Sequence, residues 1–164
     1  MSNQSRVFSE SVVGSEDFVF MQGLSQALYF RLCMNADDKG VISNARVFIR
    51  DIGASEEHLQ ELLDLNLVIQ IKDKPRLYVI TDWFIHNKPE KYEGKESDFT
   101  FEINAAVFVG EDKRYHLLKD KKKIKPYQNQ RSKSKDESLE KLGDEKGVSP
   151  ENSETQKENS EKTR

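Results

Sequence analysis

From Val7 to Ile85 about half of the positions are apolar, and their spacing changes from helical to extended and back. Leu24 to Met34 (LSQALYFRLCM) is apolar nearly all round, broken by Ser25, Gln26 and Arg31, which predicts a helix at the centre of a core. Asn35 to Gly40 (NADDKG) has turn chemistry and leads into the short apolar pair Val41-Ile42. Ser43 or Asn44 can then cap a second helix, Ala45 to Ile52, with Phe48, Ile49 and Ile52 inward and Gly53 ending it. Ser55 opens a third helix whose Leu59, Leu62, Leu63 and Leu67 form an inward stripe, opposite Glu57, Gln60, Glu61 and Asp64. Leu67 to Ile71 and Leu77 to Thr81 are β-rich runs joined by Lys72-Asp-Lys-Pro-Arg76, long enough for a hairpin loop. Trp83, Phe84 and Ile85 are expected to return the chain onto the core.

Helix, short strand, helix, helix, strand, loop, strand is the element order of a winged helix-turn-helix, with the loop as the wing. The expected class is therefore α+β, with a winged helix-turn-helix at 5–88. Residues 89–118 form a short C-terminal extension that opens with linker-like composition. Within it Phe99, Phe101 and Ile103 alternate as a strand would, Ala105 to Val109 suits either type, and Gly110 to Lys113 suits a turn before Tyr115 to Leu118. A small hairpin packed on the domain is the expectation there. From 119 to 164 only Ile124, Tyr127, Leu139, Leu142 and Val148 are apolar, so a disordered charged tail is expected.

Charge sharpens this division. The net charge of −3 is composed of −3 over residues 1–88, −3 over 89–118, +7 over 119–135 and −4 over 136–164. No apolar run reaches the roughly 18 residues of a membrane span, and the first residues lack the apolar core of a signal peptide, so a cytoplasmic protein without a membrane partner is expected. The single cysteine, Cys33, lies among Phe30, Leu32 and Met34 and reads as a buried thiol. Phosphate-loop, GxGxxG, HExxH, CxxC and GxSxG patterns are missing from the sequence, so neither an enzyme nor a cofactor is expected. His58, His86 and His116 stand far apart, without zinc-site spacing, and Asp37 and Asp38 read as turn residues rather than metal ligands.

What remains is binding chemistry. Candidate phosphate contacts are Arg46 and Arg50, four apart on the second helix, then Lys72, Lys74 and Arg76 in the wing, and Lys88 and Lys91 beyond it. The tail adds Lys121, Lys122, Lys123 and Lys125, a cluster suited to tethering nucleic acid without sequence preference. Glu57, Glu61 and Asp64 recur at i, i+4 and i+7 on the third helix, where a helix-turn-helix would face the major groove, and carboxylates there repel phosphates. The same stripe supports an alternative, a winged-helix protein-interaction module that docks a basic partner.

RVFSESVVGSEDFVFM, LSQALYF, MNADDKG and IGASEEHLQELLDLNLV leading to YVITDWFIHN, in that order, resemble the N-terminal winged-helix domain of phage replisome organisers and related replication initiators of Gram-positive bacteria. The likeness covers about residues 6 to 88, with a fainter echo to about 118. It implies a DNA-binding accessory or initiator of phage or prophage DNA replication that gathers a helicase or helicase loader; double-stranded DNA is the expected partner, with single-stranded DNA as a further candidate. Two features depart from the family pattern. The segment after the second wing strand, usually rich in Arg and Lys, reads NKPEKYEGKESD, and the sequence has no counterpart of the helicase-recruiting C-terminal domain of members related to DnaD.

Overall fold

The computed structural model describes residues 6–88 and 95–128, all within one compact unit. The chain opens with two short helices, α1 (Glu10–Val13) and α2 (Glu16–Phe20). Ser15 separates them and caps the second, its hydroxyl accepting a bond from Phe18 N. Next comes α3 (Gly23–Asn35), which buries Ser25, Leu28, Tyr29, Leu32 and Cys33. Burial of this kind contributes about 1.5 to 3 kcal/mol for each large aliphatic side chain, so α3 is the centre of the core.

Strand β1 (Val41–Ser43) follows, then α4 (Ala45–Asp51), α5 (Glu56–Asp64), β2 (Val68–Gln70) and β3 (Leu77–Ile80). The strands form an antiparallel sheet in the order β1-β3-β2, with Val41 opposite Val79 and Ile69 opposite the same residue on the other side. The central strand is buried at all four positions, which is why Leu77-Tyr-Val-Ile80 reads as a continuous apolar run rather than an alternating one. Helix α5 begins with a reciprocal cap, Ser55 N–H donating to His58 Nδ1 at 3.0 Å. The start of α4 departs from the expected side-chain cap: Asn44 has φ 79° and makes no such bond, and its N–H donates instead to the Arg76 carbonyl at 2.6 Å.

After β3 the chain turns through α6 (Trp83–His86), which returns to the core. Trp83 is 1% exposed, and its Nε1 donates to the Asp38 carbonyl at 3.0 Å. Gly40 has φ +80° and lies so close that a Cβ would meet the indole at 2.5 Å, so this turn requires glycine.

The extension differs from its expected form in two places. Thr100–Ala106 is helical (α7), and only then does a hairpin form between β4 (Val107–Val109) and β5 (Tyr115–Leu117). Phe99, Ile103 and Ala106 repeat at helical spacing and pack against the core, and this face prevails over the alternation of Phe99, Phe101 and Ile103. Beyond a 3-10 turn at Leu118–Asp120, the chain does not become a free tail at 119. Tyr127 N–H donates to the Val109 carbonyl at 2.7 Å and Glu111 N–H to the Lys125 carbonyl at 2.9 Å, so 119–128 return along the hairpin. The disorder expected of the remainder, 129–164, lies outside the described residues.

Candidate nucleic-acid interface

The loop between β2 and β3, where the wing is expected, is short and internally bonded. Ile71 N–H donates to the Leu77 carbonyl and Leu77 N–H to the Lys74 carbonyl, each at 2.9 Å, and Asp73 takes a left-handed φ of 64°. Both Gln70 Nε2 (3.0 Å) and the Tyr78 hydroxyl (3.1 Å) donate to the Pro75 carbonyl from beneath. Lys72, Lys74 and Arg76 are therefore held outward on a fixed backbone, all exposed.

The bond from Asn44 to Arg76 joins the start of α4 to the base of this loop. With Ala45 and Ile49 buried, the opposite side of α4 carries Arg46, Val47 and Arg50 to the surface, along an open groove that also includes Asn44 and Asp51. Four of the five cations are thus on segments adjoining this junction, and the fifth, Arg50, is one helical turn beyond Arg46. Two of them are already matched by carboxylates: Arg46 Nε pairs with Glu56 at 3.0 Å, and Lys74 Nζ with Glu102 of α7 at 3.4 Å. Neither partner stood out in the sequence, since Glu56 is ten residues from Arg46 across a turn and Glu102 lies in the stretch whose state was open. Arg50, Lys72 and Arg76 have no carboxylate at ion-pair distance among the described residues.

The other candidate cations do not join this cluster. Strand β3 runs away from the wing, and its far end leads through α6 to Lys88. The β4–β5 hairpin attaches at that far end, where Tyr115 N–H donates to the Thr81 carbonyl at 2.9 Å and Arg114 Nε lies 2.7 Å from Asp82. Lys121, Lys122, Lys123 and Lys125 are exposed on the segment that returns along this hairpin. Lys91 lies outside the described residues.

The acidic stripe of α5 is not continuous, which corrects the expectation of three outward carboxylates. Glu57 and Asp64 are exposed, but Glu61 is half-buried because the hydroxyl of Ser25, a fully buried residue of α3, donates to it. Satisfying that hydroxyl draws the carboxylate inward. Asp64 in turn accepts from Gln60 Nε2 at 2.8 Å.

The remaining titratable groups have structural surroundings. Ser9 N–H donates to His86 Nδ1 at 2.9 Å, which leaves the ring proton on Nε2, 2.8 Å from the Tyr29 hydroxyl. Burial lowers this histidine from 6.5 to about 4, so the imidazole is neutral. Burial also pushes the Cys33 thiol up to about 12, away from nucleophilic chemistry. Asp82 is raised by burial, with Arg114 opposing the shift. Asp37 and Asp38 serve the turn, as read from the sequence, and also hold the extension: Ser97 Oγ donates to Asp37 at 2.5 Å and Lys95 N–H to Asp38 at 2.8 Å.

Among the described residues, no cluster of histidine, cysteine and carboxylate side chains could hold a metal ion, and no helix is long and apolar enough to cross a membrane. Compared with protein-family models, curated proteins and solved structures, the chain matches none.

Proposed function

We propose that residues 6–88 are a winged helix-turn-helix that binds DNA through the wing and α4, and that the protein is an accessory or initiator of phage or prophage DNA replication. The fold part rests on the element order and on the β1-β3-β2 sheet, in which the short strand after α3 pairs with the second strand of the wing. The binding part rests on one observation: the bond from Asn44 to Arg76 brings the start of α4 and the wing base together, so their cations share one end of the sheet. Rigid presentation favours phosphate contact because little side-chain and loop ordering remains to be lost on binding. The replication role comes from the family resemblance alone. A helicase or loader is the partner which that resemblance suggests.

The test is a salt titration of binding to duplex DNA. Replacing Lys72 and Arg76 by Ala should weaken binding to all sequences alike and flatten the slope of log K against log salt by up to about 0.9 per lost phosphate contact. An unchanged slope and affinity would sink wing-led binding.

A second reading, a module for docking proteins, is supported by a different face. Val19, Phe20 and Leu24 are exposed at 56%, 79% and 42%, and Phe20 borders a groove with Glu16, Asp17 and Glu61. It gains if Phe20→Ala abolishes replication activity in cells while the salt-dependent DNA affinity stays intact.

A further inference from the structure

The most exposed large apolar side chain among the described residues is Phe101, at 84%. It stands two positions before the buried Ile103 on α7, about 200° around the helix, and so faces away from the core. The helix is pinned on both sides of it. Phe99 lines the same groove as Ser43 and Phe48, next to the start of α4, while Glu102 pairs with Lys74 of the wing at 3.4 Å. Phe101 is thus next in sequence to Glu102, the residue that meets Lys74 of the wing, and is carried on a helix anchored to the core through Ile103. Exposing an aromatic ring to water has no benefit for folding, and a flat ring beside backbone-binding cations is the arrangement that receives an unpaired base.

We propose that Phe101 is a stacking platform for an unpaired nucleobase, so that this end of the molecule binds single-stranded DNA or the single-stranded side of an opened duplex. The inference rests on the DNA-binding reading above and deepens it by naming the form of nucleic acid. Lysine and arginine of the wing hold the backbone, and the ring takes the base without regard to its identity. Glu102 faces Lys74 rather than the strand, so its charge is already matched.

The test uses the full chain with a labelled thymine oligonucleotide and a duplex of the same length. Phe101→Ala should weaken single-strand binding about 5- to 150-fold, the equivalent of one lost base stack, with the salt slope and duplex affinity unchanged. Phe101→Leu should fall as far as Phe101→Ala, whereas Phe101→Trp should bind as the parent does and lose indole fluorescence when the oligonucleotide is added. If Phe101→Ala leaves single-strand affinity intact, or lowers duplex and single-strand affinity equally, the platform is overturned. Should Lys72→Ala with Arg76→Ala abolish binding while Phe101→Ala does nothing, wing-led binding stands and only the platform falls. A parent protein that binds neither oligonucleotide overturns both.

Discussion

Residues 6–88 and 95–128 are held by different kinds of interaction. The first region builds its own core, since α3, α5 and β3 bury Leu28, Leu32, Leu62, Val79 and Ile80 against one another. The second contributes Ile103, Val107 and Tyr115 to that same core and is fastened by polar clamps: Ser97 to Asp37, Arg114 to Asp82, and the Tyr115 hydroxyl to the Lys39 carbonyl at 2.9 Å. A region that completes another's core has few elements it could form by itself. Its helix and hairpin depend on a surface which the first region must supply, and so they belong to the fold rather than to a linker.

The hardest test of this comparison is Tyr115→Ala. If 95–128 were an appendage, the cost would be that of a surface change; as a shared core position it should be about 3 to 5 kcal/mol, read as a lower denaturant midpoint. Phe84, whose ring lies 5.4 Å from that of Tyr115, would lose its packing partner with it. A loss below 1 kcal/mol would separate the two regions.

Acid should act mainly through the first region. His86 is neutral when folded and has a folded pKa of about 4 against 6.5 when exposed, so the unfolded chain binds the extra proton between those values. Stability from this group is complete above pH 6.5 and falls with decreasing pH by up to about 1.4 kcal/mol per pH unit until about pH 4. Asp82, whose folded pKa is raised, works in the opposite direction, so the comparison must be with His86→Gln, which should flatten the dependence. An identical pH profile in that variant would remove His86 as the sensor.

The two regions also differ in how much of each could be read in advance. In the first, periodicity and caps act within a few residues: Leu59 and Leu62 mark the inward face of α5, Ser55 marks its start, and the turn residues Asp37 to Gly40 mark the entry to β1. In the second, Phe99 to Ile103 satisfies strand and helix periods alike, and the helical face prevails because Ile103 packs into a core that the first region supplies, while Ser97 Oγ accepts Phe99 N–H at 3.2 Å and its carbonyl accepts from Thr100 Oγ1 at 2.7 Å. That serine is itself bonded to Asp37, sixty residues earlier. The candidate site divides in the same manner. Its cations are legible as residue types at local spacing, but the pairing of Arg46 with Glu56 and of Lys74 with Glu102, and the loss of Glu61 to Ser25, depend on contacts between distant elements.

That serine offers a milder test. Ser97→Ala removes the donor to Asp37 and the acceptor for Phe99 N–H while leaving the apolar contacts of α7 in place. About 1 to 2 kcal/mol should be lost, and amide exchange should quicken at Ile103, whose N–H bonds to the Phe99 carbonyl, more than at Leu32. Uniform acceleration across both regions would mean that the clamp is not local.

The smallest effect expected on stability is also the one that joins the two regions at the site. Glu102→Gln removes the carboxylate that the extension presents to the β2–β3 loop, and with Lys74 about half-exposed the pair contributes no more than about 1 kcal/mol to folding. Its effect on binding should have the opposite sign. With Glu102 neutral, Lys74 is free to meet a phosphate, so duplex DNA should bind more tightly at low salt and the salt slope should steepen by up to about 0.9. Lys74→Ala in the same background should remove both changes, because the gain passes through that amine. If Glu102→Gln leaves the slope unchanged while Lys74→Ala lowers it, Lys74 already contacts phosphate despite its partner, and the extension supports the wing without tempering its charge.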